Sequence, residues 1–250
     1  MYSGFNTLLI ALKGGVLNTS TRIKNAPDEL VRIFTEIATI SANDAVSFDT
    51  EKMTVERIKE DADYHGLEIW LNVCFERSRY VFQFKIGFDD VLVPRPVDIT
   101  YLTILDMEMP HLRAYSLESV ITEKLQAIIY LADLNSRVKD SYDIYELSRS
   151  RYIDGTSIAE AMTQTFNNRN TEFFSNLLVF IVDFHFLSDK QVLWQAFQLR
   201  TRIINVVIDS SVIVSAINRF FLPVYEALIK KETFDGRWNI ATKIWYRDGR

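Results

Sequence analysis

The hydrophobic pattern of the sequence changes period near residue 110, and that change limits the folds open to the chain. In GLEIWLNVCFE, Leu67, Ile69, Leu71, Val73 and Phe75 alternate with mostly polar neighbours, and in RYVFQFKIG, Tyr80, Phe82, Phe84 and Ile86 do the same. Successive strand side chains point to opposite faces, so two such runs joined by ERSR predict an antiparallel hairpin. Lys85 falls on the face opposite Phe84 and Ile86, beside Val81 and Gln83. VLVPRPVDITYLTILDMEMP reads as extended, punctuated by Pro94, Pro96 and Pro110. Upstream, NAPDELVRIFTEIATI predicts a helix: Asn25 can cap it, Pro27 and Asp28 suit its first turn, and Leu30, Ile33, Phe34 and Ile37 share a face. After Pro110 strand signals become scarce and helices are expected over 116–133, 137–149, 156–167, 171–185, 189–199 and 209–231, with Ser116 as an N-cap. The expected class is α+β: a domain over 1–112 with a small mixed sheet and helices, then a mostly helical domain over 113–250.

Composition narrows the function classes. With 250 residues, 48% of them hydrophobic, the chain can bury one large core or two modest ones. A formal net charge of −5 argues against broad, non-specific nucleic-acid binding while leaving room for a local basic pocket. Cys74 is the single cysteine, so no intrachain disulfide forms and a reducing compartment fits. His65, His111 and His185 are far apart and lack zinc-ligand spacing. The N-terminus lacks a basic region and a cleavage signal, and the sequence reads without a run of about 18 apolar residues, so no membrane span and a cytoplasmic location are expected. Near the C-terminus, Phe234, Trp238, Trp245 and Tyr246 interleave with Arg237, Lys243, Arg247 and Arg250. Such a pattern can stack nucleotide bases, but docking of the aromatics on their own domain is the plainer reading.

Two helices carry charge where apolar residues are expected. On 116–133 the stripe is Leu117, Val120, Ile121, Leu125, Ile128 and Leu131, and Lys124 falls near its middle. A lysine there must snorkel to water or meet an anion. Glu123 lies toward the side of the stripe. On 137–149, Asp140, Asp143, Ile144 and Leu147 occupy i, i+3, i+4 and i+7, so two carboxylates continue the apolar stripe toward the N-terminus. They can serve the helix dipole or bridge to Lys139 or Arg137. They can equally line a charged cleft in which Lys139 and Arg137 hold phosphate oxygens and Asp140 meets a hydroxyl, a base edge or a metal.

The stretch YSLESVITEKLQAIIYLADLNSRVKDSYDIYEL resembles the bacterial abortive-infection nucleotidyltransferases of the AbiEii/AbiGii toxin family. The matching positions are Tyr115 and Glu118, then Glu123, Lys124 and Ala127, then Arg137, Lys139, Asp140, Asp143 and Ile144. FDT at 48–50, YHGLEI at 64–69, IGFDD at 86–90, DGTSIAEAMTQTFNNR at 154–169 and the Trp-bearing tail extend the likeness over most of the chain. The resemblance implies a nucleotidyltransferase fold that transfers a nucleoside monophosphate from a nucleoside triphosphate with Mg2+, onto RNA such as tRNA or onto protein, with an antitoxin as partner. It implies catalytic roles for Lys139, Asp140 and Asp143, and nucleotide binding by Gly14, Gly15, Glu123, Lys124 and Arg137.

The sequence departs from that family's pattern at the metal site. Lys13-Gly14-Gly15 matches the glycine turn, but VLNTSTRIKNAPDELVRIF then runs almost directly into a helix, and the D-x-D strand is missing. Lys85 stands where the resemblance implies a third carboxylate. A lysine can bind phosphate but not Mg2+. Asp44, Asp49, Asp89 and Asp90 are the candidate substitutes and the ligand set stays open, so the expectation is a nucleotidyltransferase fold that keeps a phosphate-binding cleft with weak or no transfer, the alternative being a catalytically degenerate nucleotide- or partner-binding module.

Overall fold

The computed structural model describes residues 26–40, 45–58, 66–87, 93–103, 109–131, 138–174, 188–201 and 209–247. Two compact units divide the chain, one of Met1–Asp90 with Val97–Ala114, the other of Val91–Pro96 with Tyr115–Arg250. The fold is α+β, and every described strand pair is antiparallel.

In the first unit, α1 (Pro27–Ala38) begins because Pro27 presets the helical φ and Asp28 and Glu29 favour the positive helix end. Its N-cap is Ala26, without a side-chain cap, rather than the expected Asn25. Leu30, Ile33 and Phe34 are buried. They meet a three-stranded sheet ordered β1 (Val46–Arg57), β2 (Gly66–Phe75), β3 (Ser78–Gly87). β2 and β3 form the expected hairpin, with Leu67 opposite Ile86 and Ile69 opposite Phe84. Leu67, Ile69 and Ile86 join the α1 residues in one core, on which Phe48, Met53, Val55 and Phe84 pack. β4 (Val97–Thr100) and β5 (His111–Ala114) pair separately, within the stretch read as extended and just after it.

The second unit is mainly helical: α2 (Leu117–Leu131), α3 (Val138–Ser148), α4 (Gly155–Asn168), α5 (Ser188–Thr201) and α6 (Ser210–Ile229). Side chains mark three helix starts. Ser116 Oγ accepts from Ser119 N at 3.1 Å, Asp154 Oδ2 from Ser157 N at 2.8 Å, and Asp209 Oδ1 from Ser211 N at 2.7 Å. The helix expected over 171–185 is not formed at 171–174, and the rest of that span lies outside the described residues. One core takes Ile121, Leu125 and Ile128 from α2, Ile144 from α3, Ile158, Met162 and Phe166 from α4 and Phe220, Phe221 and Val224 from α6.

Three short strands escaped the sequence reading. β6 (Ile153–Asp154), β7 (Arg237–Asn239) and β8 (Ile244–Tyr246) form a small sheet that brings the C-terminal aromatics onto the helices. Trp238 is 2% exposed and its indole donates to Ser148 O at 2.7 Å; the Trp245 indole donates to Phe220 O at 2.6 Å. These tryptophans therefore pack on their own unit and satisfy their polar edges there, as the plainer reading held.

By length and composition α6 is apolar enough to cross a membrane, which the sequence reading passed over. Its apolar face, from Ile213 and Val214 to Val224 and Tyr225, is instead spent on this core. Any apolar core helix of about this length meets the same criterion.

Candidate functional site

The charged positions of α2 and α3 come together in the second unit. α2 turns Ile121, Leu125 and Ile128 into the core, and Lys124 rises from the same side. α3 buries Ile144 and packs Leu147 on the core, so the face they define carries Asp143 and Asp140 toward α2. Lys124 Nζ lies 2.8 Å from Asp140 Oδ1 and 2.7 Å from Asp143 Oδ2. Lys139 Nζ, one turn before Asp143, lies 2.7 Å from the same Asp143 oxygen. The Lys124 side chain is 18% exposed and the two aspartates 14% and 17%, whereas Lys139 is 38% exposed and forms the outer edge. Lys124 thus meets an anion rather than snorkelling, and two ammoniums face two carboxylates in a cluster with no net charge.

Burial, the largest influence on Lys124, pulls its pKa down, but the hydrogen bonds and charges of Asp140 and Asp143 outweigh it. The net result is a pKa above the ordinary 10.5. A pKa raised in the folded state contributes stability that is complete below the unfolded value and is lost as pH rises through the folded one. Denaturation of the wild type and of Lys124→Met between pH 9 and pH 12 should therefore show the wild-type advantage shrinking on the alkaline side, above about pH 10.5. An advantage that stays constant to pH 12 would contradict the cluster.

Glu123 belongs to a second network. Arg169 Nη2 approaches Glu123 Oε2 at 3.3 Å, and Arg169 Nη1 donates to Gln126 Oε1 at 3.0 Å. Gln126 in turn donates to Thr171 Oγ1 at 2.8 Å. Arg169 closes the segment 154–169 noted for its likeness, yet its role was not foreseen. The available signal was an arginine at the C-cap of α4, a position where cations are favoured. Of the other sequence candidates, Gly14, Gly15, Arg137, Asp44, Asp89 and Asp90 lie outside the described residues.

In the first unit, Lys85 sits directly across the β2–β3 ladder from Glu68, with Nζ 3.7 Å from Glu68 Oε1. Glu68 also accepts a hydrogen bond from Gln83. Asp49 pairs with Lys52 at 2.9 Å on an exposed stretch of β1.

The described donor set does not suit Mg2+. That ion wants oxygen ligands at about 2.0–2.1 Å in octahedral array. Here the ammonium of Lys124 already sits between the two aspartates, and among the described residues no three His, Cys, Asp or Glu side chains converge. The cluster is instead suited to exchange one of its contacts for a phosphate. Asp143 is held by both lysines, so it can release Lys139 and stay paired to Lys124. The first-turn backbone N–H groups of α3, beside Lys139, favour the same negative charge.

Neither the search of curated proteins nor that of solved structures returned a match. The family described as Nucleotidyl transferase AbiEii toxin, Type IV TA system, matches residues 9–203, which include both charged helices and Arg169. With well over half of its length matched, the chain belongs to the AbiEii nucleotidyl transferase toxin family.

Proposed function

We propose that the chain binds a nucleoside triphosphate at the α2–α3 cluster and transfers its nucleoside monophosphate to a hydroxyl of RNA, such as tRNA, or of a protein. Family membership implies a nucleotide substrate and an antitoxin counterpart in general terms. The observation that carries the finer reading is the convergence of Lys124 on both Asp140 and Asp143, with Lys139 at the rim. In this reading Lys139 takes the triphosphate, with Glu123, Lys124 and Arg137 flanking it, and Lys124 keeps the two aspartates in register. The acceptor oxygen attacks the α-phosphorus, the bond to the bridging oxygen breaks, pyrophosphate leaves, and Asp140 accepts the hydroxyl proton. Gly14 and Gly15 are proposed to supply backbone donors to the phosphates, and the cytoplasm supplies both substrates.

A second reading, a nucleotide- or partner-binding module without turnover, is favoured by Lys85. Where the resemblance implies a carboxylate, this chain has a lysine engaged by Glu68. Calorimetric titration of each common nucleoside triphosphate, with and without Mg2+, tests the first reading on wild type and Lys139→Ala. Binding weakened about tenfold or more in the variant is expected, since a charge-assisted contact to phosphate is lost. Transfer of an α-phosphate label to RNA or protein should follow. No binding by any nucleotide sinks the proposal; binding without label transfer selects the second reading.

A further inference from the structure

A cavity of about 310 Å3 opens in the second unit, where the C-terminal end of α3 meets α6 and the β7–β8 hairpin. Ligand pockets run from about 300 to 1,000 Å3, so this one suits a small ligand. Tyr145 comes from α3 and Arg149 from the turn that directly follows it. α6 contributes Ser211, Ser215 and Arg219, a repeat of four residues that places them along one face. Lys243 enters from the hairpin turn.

The lining holds three cations and no carboxylate, in a chain whose net charge is −5. Among the described residues none of the three is paired with an acid. Two of them are held in place by other means. Arg149 donates to Tyr145 Oη at 2.8 Å, with its guanidinium 4.8 Å from the centre of that ring. Lys243 has a left-handed φ of 58° at the end of a turn that Asn239 fastens, its Oδ1 accepting from Ala241 N at 2.8 Å and Thr242 N at 3.1 Å. The Lys243 ammonium donates to Ile240 O. Burial first, and then the charge of Arg149, hold its pKa below the ordinary value.

We propose that this pocket binds a phosphate monoester or diphosphate group, gripped by Arg149, Arg219 and Lys243 with the hydroxyls of Ser211 and Ser215 as further donors. Guanidinium groups match the paired oxygens of a phosphate, and a doubly charged group neutralises most of three cations where a single carboxylate leaves two unpaired. Val212, Ala216 and Trp238 give the pocket an apolar wall for the rest of the ligand. The site is distinct from the lysine–aspartate cluster. Ser148, which also lines the pocket, follows Asp140 by about 12 Å along the axis of α3, at about 1.5 Å per residue.

The test is calorimetric titration of pyrophosphate into the full chain as wild type, Arg219→Gln, Lys243→Gln and Lys139→Ala. Arg219 is exposed, so its replacement should leave the fold intact. A pyrophosphate-binding event that weakens about tenfold in Arg219→Gln and in Lys243→Gln, weakens with added salt and persists in Lys139→Ala, which alters only the α2–α3 cluster, is the expected result. No binding by the wild type, equal affinity in Arg219→Gln, or loss in Lys139→Ala alone would overturn the assignment. Parallel titrations identify the source of the phosphate. Tighter binding of a nucleoside monophosphate assigns a small metabolite. Tighter binding of a 5′-phosphorylated oligoribonucleotide than of its 5′-hydroxyl form assigns an RNA end, whereas equal binding of the two oligonucleotides with no response to the monophosphate refutes a monoester site.

Discussion

Replacing Lys124 with methionine should lower the stability of the helical unit by about 3 kcal/mol. The substitution keeps the aliphatic length of the side chain and removes the ammonium. Asp140 and Asp143, exposed by only 14% and 17%, then lose the ammonium that pairs with both of them. A largely buried carboxylate that loses a cation is destabilised because little solvent remains to stabilise its charge. The loss is smaller than the upper range for a buried pair, since Asp143 retains Lys139 at 2.7 Å. A variant that also carries Asp140→Asn and Asp143→Asn should recover most of the deficit, because removing a whole ion cluster costs far less than orphaning half of one. Denaturant unfolding of the set, treated as a thermodynamic cycle, gives the coupling directly. A Lys124→Met protein as stable as the wild type would mean that the cluster does not hold α2 to α3.

Gly155→Ala should be about as damaging, with a loss of about 3 kcal/mol and a fall in melting temperature of about 10 °C. Gly155 is the first residue of α4, and its N–H donates to Gly236 O at 2.6 Å. A methyl group there would collide with the Gly236 carbonyl oxygen and would stand 2.8 Å from both Gly236 N and Phe234 Cδ1. Two of these three neighbours are backbone atoms that cannot rotate away. Alanine's better helix propensity returns at most about 1 kcal/mol, so sterics win. The strand pairing of β6 with β7 and the seat of Trp238 should loosen together, which tryptophan fluorescence during thermal unfolding would register. An unchanged melting temperature would show that the two glycines do not meet.

The parts of this architecture legible in the sequence are those fixed by local periodicity. Leu67, Ile69 and Leu71 alternate, so β2 was visible; Leu30, Ile33 and Phe34 repeat at helical spacing, so α1 was visible. β1 was not, because its register shifts between Asp49 and Thr54. Phe48 faces the core before the shift, and Met53 and Val55 face it afterwards, so even positions give way to odd ones and no single alternation runs through the strand. In the site, Lys124 on an apolar stripe and Asp140 and Asp143 on another announced an unusual face on each helix. That the two faces would meet depended on how α2 packs against α3, which side-chain spacing does not encode. The basic pocket was hidden for the same reason, since Arg149, Arg219 and Lys243 come from three elements remote in sequence. The tryptophan anchors were foreseen as docking residues, but strands of three residues leave too few positions for a period to be read.

The β7–β8 hairpin also separates two boundaries that are easily conflated. The family match ends at residue 203, but the helical unit draws Phe220, Phe221, Val224, Tyr225 and Trp238 into its interior from beyond that point. A fragment cut where the match stops would leave α3 and α4 with the greasy side they present to α6 facing water. The recognisable segment and the segment that folds are thus different lengths of the same polypeptide, and the residues beyond 203 complete the core on which the upstream charged helices stand.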